Sequence, residues 1–224
     1  MATTPPTYGP IQFPKQLDLR QWQFERALRL HLVPPPDAGD RWSETAFTEA
    51  QSKIDTIKAD VGEHPDVGSW RAENYLAQRF SVEVARGTAA ELARRGHLPI
   101  TGEYKGAPLY CGLTLERGHS LDRRKVRRAS AAGALHMRDE AAQVLGIRPA
   151  DLAHLVRAGL LTPAETVHVR RRVTVLLYRH ADLTRLRRSR RIDWAAIDAT
   201  PPGRPSPLAT LPTAPARAQD HAAP

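Results

Sequence analysis

The side chains of this 224-residue chain best equipped for chemistry are its cations, 33 Lys and Arg against 24 Asp and Glu, a formal charge of +9. They are unevenly spread. Residues 1–100 hold 12 basic and 13 acidic side chains, whereas residues 101–224 hold 21 and 11. Two concentrations stand out: Arg123-Arg124-Lys125 with Arg127-Arg128, and the run Arg185-Leu186-Arg187-Arg188-Ser189-Arg190-Arg191. Guanidinium groups at this density neutralise phosphates, and a basic excess confined to one half of a chain marks where a polyanion would sit. Each run also has a structural reading. The first fits a solvated connecting helix, and arginines at the end of a helix complement its dipole.

The other reactive residues point away from catalysis. The nine histidines include no i, i+4 pair, and no cluster of His, Cys and carboxylates has metal-ligand spacing. Cys111, the single cysteine, falls in an expected strand without a basic neighbour, which reads as core packing; it can form neither an intramolecular disulfide nor a thiolate zinc site. No Gly-rich phosphate loop, Gly-x-Gly-x-x-Gly or Gly-x-Ser-x-Gly occurs. No enzyme activity, cofactor or metal is therefore expected. With no apolar run of roughly 18 residues and no leader-like N-terminus, the expectation is a soluble cytoplasmic protein without membrane contact.

The elements that must position these cations are clearest between Asp139 and Leu186. Ala141, Ala142 and Leu145 recur at helical spacing, and Gly146 stops that helix because glycine enters a left-handed turn without steric cost. Ile147 plugs the turn. Pro149 suits the first position of a second helix, Leu152, Leu155 and Val156 give it an apolar stripe, and Gly159 ends it. Val167 to Tyr178, rich in valine and arginine, reads as a β-hairpin, and Ala181 to Leu186 as a closing helix.

The segments A-A-x-x-L-G-I at 141–147, L-x-x-L-V-R-A-G-L-L at 152–161 and L-Y-R-x-A-D-L at 177–183 resemble the winged helix-turn-helix of the MerR and phage-excisionase group. The resemblance covers about a quarter of the chain. In that group the second helix enters the major groove and the wing lies over the backbone or minor groove. The resemblance thus implies Arg148, His154 and Arg157 as base or phosphate contacts, with Arg170, Arg171 and Arg172 on the wing; on a DNA-binding reading Arg187 and Arg188, in the basic run near 185–191, hold phosphates as well. A solvated helix face is the ordinary alternative.

The same order of elements is expected at 68–117. Arg71 to Phe80 and Thr88 to Arg95 form two helices, Gly96 ends the second, and Ile100 to Leu113 forms a hairpin turning at Lys105-Gly106. Aligned as an internal repeat, Phe80 falls on Leu145, Val82 on Ile147, Gly96 on Gly159 and Tyr110 on Tyr178. Arg86, Arg94, Arg95 and Lys105 are the candidate DNA contacts of this copy, though Glu83 and Glu91 lie among them and scaffolding competes as an explanation. Residues 17–61 form a helical region: one amphipathic helix over Leu17 to Val33, then a helix capped by Ser43 and running to Val61. F-E-R-A-L-x-L-H-L-V-P-P at 24–35 followed by R-W-S at 41–43 is similar to a truncated third copy lacking its first helix.

The expected organisation is therefore mainly α with small β-hairpin wings, tandem winged helix-turn-helix modules joined by helices. Residues 1–16 are a flexible arm, 17–61 the helical region, 68–117 and 138–198 the two modules, 118–137 a basic linker helix, and 199–224 a disordered Pro/Ala-rich tail. The expected function is sequence-specific binding of double-stranded DNA as a bacterial, nucleoid-associated transcriptional regulator. An excisionase-like, plasmid or phage architectural factor is the alternative within that class. A protein-interaction scaffold is the alternative outside it, and the near-neutral first half is the part suited to a protein partner.

Overall fold

Five aromatic side chains and one arginine explain the first part of the chain. In the computed structural model, which describes residues 6–169, 173–201 and 203–214, Phe13, Phe24 and Trp42 are buried together. Their ring centroids lie 4.9 Å (Phe13–Trp42) and 5.3 Å (Phe24–Trp42) apart, and Tyr8 stacks on Phe47 at 4.6 Å. Residues 6–16, expected to be a flexible arm, are instead built into this core. Strand β1 (Thr7–Tyr8) pairs antiparallel with β2 (Trp42–Ser43), and Phe13 on α1 (Gln12–Gln16) is fully buried. Proline-rich composition hid one aromatic anchor. The expected single helix over Leu17 to Val33 is likewise two elements, because Asp18 takes φ +53° between α1 and α2 (Gln21–Arg29). Ser43 caps the next helix as expected, its side chain accepting from the Ala46 N–H at 3.2 Å. That helix breaks at Lys53 into α3 (Glu44–Ser52) and α4 (Ile54–Val61).

The chain divides into two units, Met1–Ala72 with Gly96–Leu121, and Glu73–Arg95 with Asp122–Pro224. In the first, Arg26 is only 3% exposed and donates to the Val61 carbonyl at 2.5 Å and to Asp66 at 2.6 Å. Asp66 also accepts from Arg29 at 3.0 Å and from the Gly112 N–H at 2.9 Å. Burial pushes the Asp66 carboxyl up, but these donors hold it below the usual range. The hairpin of this unit, β3 (Ile100–Tyr104) and β4 (Ala107–Tyr110), turns at Lys105 and Gly106, both with positive φ as a tight hairpin requires. Helix α7 (Gly112–Arg117) follows it.

Helix α5 (Ser69–Phe80) runs across the division. In the second unit α6 (Thr88–Arg94) packs on α8 (Arg123–Gly133), burying Leu92, Val126 and Ala129 completely. Contact is close: a Cβ on Gly133 would lie 2.7 Å from the Gly87 carbonyl oxygen. The basic helix expected as a linker is thus a packed element. Next come β5 (Leu135–His136), α9 (Arg138–Leu145), α10 (Pro149–Arg157), β6 (Glu165–Val169), β7 (Val173–Arg179) and α11 (His180–Arg187). The three strands form an antiparallel sheet ordered β5-β7-β6. Gly146 and Gly159 both take φ +67°, Pro149 opens α10, and Ala141, Leu145, Leu152 and Leu155 are buried, as the sequence pattern requires.

The expected disordered tail is corrected for the described residues. After α12 (Trp194–Asp198) the chain returns through a 3-10 turn, Pro207–Thr210, whose Leu208 is 1% exposed in the same core as Leu152 and Leu155. One anchoring leucine outweighs the composition around it.

One succession of backbone events occurs three times along the chain. A helix ends at a residue of positive φ, and a second helix ends at another: Asp18 and His31, then Ser81 and Gly96, then Gly146 and Gly159. After the first of each pair, Leu19, Val82 and Ile147 donate their N–H groups to Pro14, Ala77 and Ala142, five residues back. A residue ahead of the first helix then pairs antiparallel with an aromatic one, Tyr8 with Trp42, Val67 with Tyr110 and His136 with Tyr178. A helix begins two positions after each aromatic. These are the positions that the sequence alignment of the two later copies pairs. In the first occurrence of this succession the first helix is α1, which is not evident in the sequence. Overall the structure is mainly helical with small antiparallel sheets, and among the described residues no helix is long and apolar enough to cross a membrane.

Candidate nucleic-acid interface

The charge follows the division. The second unit carries 23 Lys and Arg against 12 Asp and Glu, a formal +11, while the first carries 10 against 12. Within the second unit α10 is held by Leu152 and Leu155 inward, so the residues it leaves exposed are Pro149, Ala150, Ala153 and Arg157. Two of its three candidate contacts are tied down by the chain's own C-terminal segment. Arg148 donates to Asp151 at 3.0 Å and to the Arg204 carbonyl at 3.0 Å. Arg157 reaches the Ala209 carbonyl at 3.4 Å, and its own carbonyl accepts from the Ala214 N–H at 3.0 Å. His154 Nδ1 lies 2.9 Å from the Arg157 guanidinium. Asp151, 5% exposed, is the partner that sequence reading overlooked, although its place three residues after Arg148 is a usual ion-pair spacing.

Of the wing residues, Arg170, Arg171 and Arg172 lie outside the described residues. The strands flanking them expose apolar side chains, Val169, Val173 and Leu176. Arg86 pairs with Glu165 on β6. Arg94 and Arg95 meet Glu91, both at 2.7 Å, and Arg179 joins them at 3.0 Å. The Glu91 side chain is wholly inaccessible. Burial alone would push its carboxyl up, but the guanidinium groups of Arg94 and Arg95 hold it below the ordinary value. These arginines form a buried-carboxylate hub. The carboxylate expected to oppose DNA contact at 91 is its centre.

Arg187 also serves the protein itself. It pairs with Asp198 at 2.8 Å and lies 4.7 Å over the Trp194 ring, fastening α12 to the end of α11. Lys105, in the other unit, sits at the hairpin turn 5.3 Å from the Tyr104 ring. By contrast Arg123, Arg124, Arg127 and Arg128 on α8, and Arg188, Arg190 and Arg191 after α11, make no ion pair with any described residue. All seven are exposed. The structure thus separates the cations into those spent on internal carboxylates and those facing solvent, and α8 holds more of the second kind than α10. Among the described residues no group of three or more His, Cys, Asp or Glu is arranged to hold a metal.

These features define a mainly helical protein with one strongly basic unit. No family model, curated protein or solved structure matches the chain.

Proposed function

We propose that the chain binds double-stranded DNA as a transcriptional regulator built of tandem winged helix-turn-helix modules. In this reading α10 enters the major groove and the β6–β7 hairpin lies on the backbone. The observation that carries it is the strand–helix–turn–helix–hairpin–helix order of 135–187, within a unit of formal charge +11. Phosphate neutralisation supplies the affinity, and side chains along α10 and its ends supply the preference.

A specific observation favours a second reading, an architectural DNA-binding factor. Ala150 and Ala153 occupy much of the exposed face of α10, and alanine offers a base edge no hydrogen bond, only apolar contact. Selection of bound duplexes from a random-sequence pool, at several salt concentrations, separates the two. A recovered motif with a steep salt dependence supports the regulator. Salt-sensitive binding without a motif supports the architectural factor, and no binding of duplex refutes both. In the last case the near-neutral first unit, which exposes Trp70 and Tyr104, becomes the place to seek a protein partner.

A further inference from the structure

Three solvent-facing arginines of the second unit meet at one concavity. Helices α8 and α11 pack side by side, and between them lies an open cleft of about 790 Å³. It is lined by three alanines, Ala131, Ala132 and Ala181, and by three arginines, Arg128, Arg185 and Arg188. Among the described residues no carboxylate lines it, Arg128 and Arg188 make no ion pair, and Arg185 keeps only a 3.5 Å approach to Asp182 while 70% exposed. Ser189 also lines the cleft, and its buried hydroxyl has no hydrogen-bond partner among the described residues. On α8, Arg124 precedes Arg128 by four residues, a rise of about 6 Å along one face. Helices that merely needed solubility would intersperse both signs of charge.

We propose that this cleft seats the phosphodiester backbone of duplex DNA, separately from α10. The alanines let a sugar-phosphate chain come close, and the guanidinium groups from two helices meet its phosphates from both sides with charge-assisted hydrogen bonds. The backbone carries no sequence information directly, so the cleft sets register and affinity while preference is read elsewhere. The assignment rests on the DNA-binding reading above.

The test compares the full chain with the triple variant Arg128→Gln, Arg185→Gln, Arg188→Gln, with Ala131→Glu, and with Ala153→Glu on α10. Each is titrated with one defined duplex between 50 and 200 mM salt, and circular dichroism checks that each is folded. Three lost phosphate contacts should shallow the slope of log affinity against log salt by about 2.7, so the wild-type advantage shrinks about 40-fold over that range. Ala131→Glu, which removes no cation, should weaken binding several-fold at low salt. If the wild type binds duplex but the triple variant and Ala131→Glu keep its affinity and slope, the cleft assignment is overturned; weakening by Ala153→Glu would then leave α10 as the seat. If the wild type binds no duplex at any salt, the DNA-binding reading falls and the cleft assignment falls with it.

Discussion

Leu208→Ala tests whether the C-terminal segment belongs to the fold. Leu208 is 1% exposed and shares a core with Leu152, Leu155 and Leu183, while Ser206 caps its turn and Ala214 donates to Arg157. Truncating a leucine this buried costs about 2–5 kcal/mol when the surroundings stay in place. Here they need not. The segment can open as a local unit, so once the cavity cost exceeds its docking free energy it detaches, and the loss is capped there. These considerations place the change near the low end, about 2.5 kcal/mol. Denaturant unfolding measures it directly. Hydrogen exchange at the Ala214 amide, which is bonded to the Arg157 carbonyl, measures local opening; the same free energy raises the opened fraction about 60-fold. A loss below about 0.5 kcal/mol together with an unchanged exchange rate would refute the claim that this leucine anchors the segment.

Glu91→Gln should destabilise the protein by about 2–3 kcal/mol in urea unfolding, below the usual cost of breaking a buried pair because Arg94 and Arg95 can turn to water and Arg179 keeps Asp182 at 2.7 Å. Since the folded carboxyl lies below its unfolded value, its contribution is complete above the unfolded pKa of about 4.3 and is lost as pH falls through the folded one; the variant should show a flatter stability profile across that acid window. Ser81→Gly should stabilise by roughly 0.5–1 kcal/mol by relieving a left-handed serine, and Gly146→Ser should cost about 1–2 kcal/mol, each read from the urea midpoint. A Cβ on Gly146 meets only the Arg187 guanidinium, at 4.0 Å, so its penalty is conformational, and equal stability of Gly146→Ser and wild type would contradict the equivalence of the two turns.

What was legible in the sequence depended on whether a backbone demand was met by a residue that advertises it. Gly146, Gly159 and Pro149 announce the ends and start of α9 and α10, and the leucine spacing announces their buried face. Asp18, His31 and Ser81 make the same left-handed turns without announcing them, because aspartate, histidine and serine have many other uses in a loop. That is why α1 and α2 read as one helix in the sequence and why α1 is not evident there. Phe13 and Leu208 were hidden differently, each a lone anchor inside a proline-rich stretch whose average composition suggests disorder. For the candidate site, local ion pairs such as Arg148–Asp151 and the Glu91–Arg94–Arg95 cluster were readable from i, i+3 and i, i+4 spacing. Arg86–Glu165 and Arg187–Asp198 join residues that only the fold brings together.

The distinction between engaged and free cations changes what the net charge means. A formal +11 on the second unit suggests an evenly attractive surface, yet the arginines around Glu91 and at residues 86, 148, 179 and 187 are compensated within hydrogen-bonding distance, so their contribution to the far field is small. Among the described residues most of the uncompensated charge is on α8 and at the end of α11, on either side of α9 and α10 rather than on them. A repeated backbone whose turns agree while its charges do not is the pattern expected when packing is retained and surfaces diverge. On that argument the helix that announces the motif in the sequence and the surface that would supply most of the affinity are different parts of the molecule, and substitutions confined to α10 should change preference far more than strength.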